Sequence, residues 1–254
     1  LAVYLTTPSQ GPIRGLGIKA GITLIVGGGY HGKSTLLESI SRGVYDHIPG
    51  DGREKCVTRT STVSISAEDG RPIRNVDISP FIGALPDGRT TSSFSTDDAS
   101  GSTSQAAAII ESMELGAQVI LMDEDTTATN FMLRDAAMRS LIPDADEPII
   151  PFIERVEELY RIHDVSTTMV VGSAGAFLSI ANTVIRMTKY QAFDATTEAK
   201  GLDFKALGVP QNMRTHVPWR PTKPRSIQLD AVHKSSRKKR LNVRPWGSRG
   251  IEIG

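Results

Sequence analysis

The sequence predicts an α/β fold, a mainly parallel sheet flanked by helices. Three observations predict it. Short apolar runs rich in Val, Ile, Leu and Met recur at 22–26, 119–122, 168–171 and 184–187, the pattern of strands buried on both faces. Stretches of helical composition lie between them. The first run is broken by Gly27-Gly28-Gly29, a turn from strand to helix.

Taken in order, residues 1–5 read as a strand, ended by Thr7-Pro8-Ser9 and Gly11-Pro12. Residues 22–26 are the first buried strand, and 34–41 a helix. Residues 61–66 alternate as a strand before Glu68-Asp69-Gly70. Residues 75–104, rich in Gly, Pro, Ser, Thr and Asp, read as a long polar connection, a type that is often functional. Helix 104–115 then feeds strand 119–122. Helices at 131–141 and 153–162 precede strand 168–171, and 176–181 opens a further helix before strand 184–187. Beyond about residue 200 the regularity fades, and Pro210, Pro218, Pro221, Pro224 and Pro245 punctuate a basic segment. We therefore expect a body at 1–205 and a basic appendage, or the start of a second domain, at 206–254.

The chain has 254 residues and a formal net charge of +1. That sum hides an asymmetry: residues 211–254 carry 11 basic and 2 acidic side chains, a net +9, which leaves −8 on the rest. No apolar run approaches the roughly 20 residues of a membrane helix. The single cysteine, Cys56, excludes a disulfide framework and a cysteine-built zinc site. A hydrophobic fraction of 39% suffices for a packed core. No signal peptide is visible, and the expectation is a soluble, intracellular protein. The opening on Leu1, straight into a strand-like run, reads as a piece of something longer.

Gly27-Gly28-Gly29-Tyr30-His31-Gly32-Lys33-Ser34 satisfies G-x-x-x-x-G-K-[ST], with a buried strand entering and a helix leaving. Phosphate oxygens need converging N–H donors, and the helix N-terminus adds its positive dipole end. Lys33 is expected to reach the β- and γ-phosphates, and Ser34 to ligate Mg²⁺. The strand 119–122 delivers Asp123 and Glu124 at its carboxyl end, where open α/β sheets bind ligands. Asp123 suits Mg²⁺ held through water, and Glu124 suits a general base. Acids here could also simply cap a helix. Ser100-Gly101, ahead of helix 104–115, offer hydroxyl and N–H donors for an anion, or an N-cap and its lead-in.

In that order, phosphate loop, serine-glycine pair and strand-Asp-Glu resemble an ABC-type ATPase. The longer strings resemble the small group of predicted ATPases of the ABC class. They are 27–35 (through Thr35), 43–54, 68–71, 76–82, 99–106 and 123–132. The resemblance covers about residues 1–200 and implies ATP/ADP and Mg²⁺ as ligands. It implies Ser100 and Gly101 as the signature that caps a nucleotide held by a second copy, and hence a head-to-tail homodimer. It implies Thr127 to Asn130 as the turn meeting that copy, and Glu68-Asp69 in place of the glutamine that senses the metal and the attacking water. One position departs: Gly172-Ser173-Ala174-Gly175 stands where a histidine usually contacts the γ-phosphate. Hydrolysis is therefore expected to be slow or to use another group, with His31 and His47 nearest in sequence. A position near Tyr4 usually holds an adenine-stacking aromatic; core packing of Tyr4 is the alternative.

Arg237-Lys238-Lys239-Arg240 and both tryptophans, Trp219 and Trp246, fall in the basic segment. Charge with aromatics suits RNA, whereas the plain alternatives are a solvated tail or a subdomain with tryptophans in its core. The resemblance extends to a kinetoplastid mitochondrial group member associated with RNA editing, which implies RNA as partner and a mitochondrial location. The function expected is a nucleotide-driven ATPase clamp on RNA, with a nucleotide-gated RNA-binding module of little turnover as the alternative.

Overall fold

The computed structural model describes residues 1–8, 10–207, 209, 219 and 225, and the backbone of 243–246 and 250–253. The chain divides into two compact units, Leu1–Thr222 and Lys223–Gly254. The basic cluster 237–240 and the Trp246 side chain lie outside the described residues. In the second unit the described part is Arg225 and one hairpin, β11 (Val243–Trp246) antiparallel to β12 (Gly250–Ile253).

The first unit is built on a six-stranded sheet in the order β10-β9-β3-β8-β7-β4. Its strands are β3 (Ile22–Val26), β4 (Thr62–Ile65), β7 (Val119–Asp123), β8 (Ser166–Val171), β9 (Thr183–Thr188) and β10 (Gln191–Asp194). All pairings are parallel except β9 with β10. Consecutive residues of the central strands point to opposite faces, so both faces must be apolar. On β3, Leu24 joins a large cluster with Ile109, Ile120 and Met169, whereas Ile25 joins Leu37 of helix α1 (Lys33–Arg42), Val170 and Ile185. Helix α2 (Gly101–Glu114) packs Ala106, Ala107, Ile109 and Ile110 into the large cluster, each fully buried.

Register decides where chemistry can happen. Val26 pairs with Val171, and Val170 pairs with Asp123. The residues that follow, Gly27, Glu124 and Gly172, therefore leave the sheet side by side at its carboxyl edge.

Several elements differ from the sequence reading. The first strand, β1 (Ala2–Thr7), pairs with an unexpected β2 (Gly11–Leu16) in a separate hairpin, and Tyr4 there is exposed rather than core. The stretch 75–104 is not all connection. It holds most of a hairpin, β5 (Arg71–Val76) with β6 (Phe94–Ala99), and a return in which Phe81 is fully buried. The expected helix 131–141 is two, α3 (Thr129–Met132) and α4 (Ala136–Leu141), separated where Asp135 caps α4 through the Met138 N–H. A 3-10 turn at Phe152–Glu154 leads into α5 (Val156–His163), and Gly175–Ser179 is 3-10 rather than α-helical. A short α6 (Thr196–Lys200) follows β10.

Trp219 corrects one reading directly. Its ring lies edge-on to Phe81 with centroids 5.1 Å apart, and 4.4 Å from His163. At 4% exposure it is a core residue and has no face for a nucleobase. The compact first unit therefore reaches beyond residue 205.

Candidate active site

The phosphate loop leaves β3 in a conformation that needs glycine. Gly27 has φ +144°, and a Cβ there would stand 2.4 Å from the Met187 carbonyl oxygen. Gly32 N-caps α1 in the left-handed region, which lets the helix start abruptly beneath the loop. Tyr30 takes a positive φ as well and projects fully into solvent. Lys33 Nζ donates to the Gly28 carbonyl at 2.9 Å, folding the ammonium back over the loop. Gly28, Gly29, Ser34 and Thr35 are exposed. The His31 ring lies beside Gly28, and its Nδ1 accepts the Lys189 N–H at 3.1 Å. His47 is not part of this group. Its Nδ1 sits 2.6 Å from Asp51 and its Nε2 3.1 Å from the Arg42 carbonyl oxygen, so it ties down its own loop.

At the end of β7, Asp123 meets the loop. The Ser34 hydroxyl donates to Asp123 Oδ2 at 2.7 Å, although the two residues are 89 positions apart. Asp123 also caps the short 3-10 turn Glu124–Thr126 through the Asp125 N–H, so the carboxylate that the sequence offers as a metal ligand is also a cap. Two oxygens this close, one hydroxyl and one carboxylate, form the hard donor set that Mg²⁺ takes, usually keeping several waters. The Glu68 carboxylate faces Arg71 at 3.8 Å and is largely exposed, while the Ala67 N–H before it donates to the Thr126 carbonyl oxygen at 2.8 Å.

Glu124 is held by the loop after β8. Its Oε2 accepts the N–H groups of Gly172 (2.6 Å), Ser173 (3.0 Å) and Ala174 (3.5 Å), and its Oε1 accepts the Ser173 hydroxyl. Burial pushes the Glu124 carboxyl up, but the Ser173 hydroxyl and the three N–H donors outweigh it, and the pKa lies below the ordinary glutamate value. Ser173 thus faces the carboxylate beside the phosphate loop.

Ser100 and Gly101 line a different face. Ser100 is the N-cap of α2, its hydroxyl within 3.0 Å of Thr103 Oγ1. Gly101 is buried so tightly that a Cβ would come within 3.1 Å of Ala67 and 3.3 Å of Asp69 Oδ1. Both open onto a concavity of about 740 Å³ shared with Asp69, Asp125, Thr127 and Asn130. None of its lining residues comes from the phosphate loop. Two hydrogen bonds fix the arrangement: Ser102 Oγ donates to Asn130 Oδ1 at 2.7 Å, and the Ala128 N–H donates to Gln105 Oε1 at 2.9 Å. Among the described residues no cluster of three or more His, Cys, Asp or Glu could hold a metal by itself, so a metal here would rely on Ser34, Asp123 and the substrate.

The Lys189–Tyr190 turn against the phosphate loop escaped the sequence reading. A two-residue loop between alternating strands was its only signal, and Lys-Tyr is not the Asn-Gly pair that marks such turns.

Comparison with known proteins agrees with the fold. A solved structure of cbiO1 from Clostridium perfringens, part of the ABC transporter complex cbiONQ, superposes with a TM-score of 0.50 at 15% identity, covering 82% of this chain and 92% of that one. That likeness shows the fold. An uncharacterized protein of Methanocaldococcus jannaschii is 37% identical over 123 residues, 48% of this chain. The matched part spans 27% of that relative's length. No helix among the described residues is long and apolar enough to cross a membrane. The family model for the ABC ATPase P-loop domain matches residues 1–219, and the chain belongs to that family.

Proposed function

We propose that this chain is a Mg²⁺-dependent ATP hydrolase whose cores work in pairs and act on RNA. The Ser34–Asp123 contact at 2.7 Å carries the reading, because it joins the phosphate loop to the carboxylate strand at the point where Glu124 begins. Lys33 and the loop N–H groups bind the phosphates, Ser34 and Asp123 hold Mg²⁺, and Glu124 accepts a proton from the attacking water. The metal supplies charge neutralisation on the phosphate oxygens. ADP, sharing the β-phosphate, occupies the same loop. The concavity at Ser100 and Gly101, which lacks phosphate-loop residues, supports a head-to-tail homodimer in which one copy's signature completes the other's site. The net +9 of residues 211–254 supports RNA as the polyanion, with Arg237, Lys238, Lys239 and Arg240 as contacts. A mitochondrial location and a part in RNA editing are carried only as what the family resemblance implies.

A second reading is favoured by one observation. Both oxygens of Glu124 already accept hydrogen bonds and its pKa is lowered, which makes it a weak base. A nucleotide-gated RNA-binding module with little turnover fits that arrangement.

Phosphate release by the wild type and by Glu124→Gln, each with and without RNA, separates the two. Release well above the Glu124→Gln background supports the hydrolase, and equality supports the binding module. Neutralising residues 237–240 should weaken RNA binding and flatten its salt dependence; an unchanged salt slope would remove the tail as the contact.

A further inference from the structure

His31 holds more of the structure than a loop residue needs to. Its ring Nδ1 accepts the Lys189 N–H at 3.1 Å, and its carbonyl oxygen accepts the Tyr190 N–H at 3.2 Å. These two residues form the two-residue turn between β9 and β10, and both have positive φ, 48° and 63°. Such turns normally take Asn-Gly or another glycine pair, because side chains resist this backbone. Tyr190 also presses its ring on the loop: a Cβ on Gly32 would stand 2.7 Å from Tyr190 Cδ1. Strain kept at a ligand site is a pointer to function, and here its effect is to fix one imidazole.

The fixing has a chemical consequence. A neutral imidazole whose Nδ1 accepts a hydrogen bond carries its proton on Nε2. That edge lies against the phosphate loop, since a Cβ built on Gly28 would be 3.6 Å from both Nε2 and Cδ2. Gly28 is also where Lys33 Nζ docks. No partner for Nε2 is found among the described residues. Ser173, meanwhile, gives its hydroxyl to Glu124.

We propose that His31 is a further substrate-binding residue of this site, its Nε2–H donating to a phosphate oxygen of bound ATP, with the Lys189–Tyr190 turn as the positioning element that selects the tautomer. The proposal rests on the ATP reading above. It adds a neutral donor beside the Lys33 cation, on the opposite flank from the Glu124 loop.

The test uses the whole chain with ¹⁵N-labelled histidine imidazoles, His31→Ala serving to assign the signal. The expected spectrum shows Nδ1 bare and Nε2 protonated, and MgATP shifts the Nε2–H. In parallel, titration calorimetry compares wild type with His31→Asn, whose Oδ1 can still accept from Lys189. His31→Asn should weaken ATP binding about tenfold with an unchanged melting temperature. A weakening seen with ATP alone assigns the γ-phosphate, and one seen with ADP too assigns the β-phosphate; both support the proposal. Wild-type affinity in His31→Asn, or an Nε2 signal unmoved by saturating ATP, overturns it while leaving the ATP reading intact. Absence of ATP binding by the wild type removes both.

Discussion

Glu124 and Ser173 lie at the tips of adjacent strands, and the serine hydroxyl donates to one carboxylate oxygen while the backbone of the same loop donates to the other. The contact follows from register. Val170 pairs with Asp123, so the next residues of β7 and β8 must emerge together. Hydrogen bonds to both oxygens favour the charged carboxylate, so each of them lowers its readiness to take a proton from water.

Ser173→Ala should therefore speed phosphate release. Loss of the hydroxyl frees Oε1 and raises the basicity of Glu124. A threefold or larger rise in kcat is the rough expectation, small against the full worth of a hydrogen bond to a charged group. Steady-state phosphate release checks it; a fall in kcat would mean that Ser173 orients the base productively.

The same contact predicts a pH effect on stability. The folded pKa of Glu124 is lowered, so its contribution is fully present above the unfolded value, about 4.3, and is lost as pH falls through the lower folded value. Urea melts of wild type and Glu124→Gln should differ near pH 7 and converge in acid. A difference independent of pH would contradict the pairing.

Gly27→Ala tests the loop's backbone. A methyl there meets the Met187 carbonyl oxygen and must also adopt φ +144°. We expect about 1–3 kcal/mol of destabilisation and a loss of nucleotide binding. Thermal unfolding with and without MgATP reads both; unchanged melting and unchanged ligand stabilisation would refute the steric argument.

Trp219→Ala should cost about 3–5 kcal/mol, the range for emptying a buried aromatic site. Denaturant unfolding measures it. A change below 1 kcal/mol would show that the Phe81 and His163 contacts contribute little.

The parallel strands were legible because burial on both faces demands unbroken β-branched and aliphatic runs, as at 22–26 and 168–171. Strand β6 was hidden for the opposite reason. Its Ser95, Thr96, Asp97 and Asp98 lie between the inward-facing Phe94 and Ala99, and register shifts against β5 spoil the alternation. In the site, Ser34 and Asp123 were legible because each belongs to a local motif whose chemistry requires the other. The hold of Ser173 on Glu124, and of His31 on the turn after β9, depend on which strands become neighbours. Trp219 is similar: its partners Phe81 and His163 are distant in sequence, and a basic surrounding composition suggested a surface role.

The bond from the Ala128 N–H to the buried Gln105 side chain has a mechanical consequence. Helix α2, which carries Ser100 at its tip, is bolted to the chain four residues beyond Glu124. A shift of the helix therefore pulls on the segment that follows the Glu124–Thr126 turn. The tip of α2 and the turn that follows Glu124 are in this sense one mechanical part.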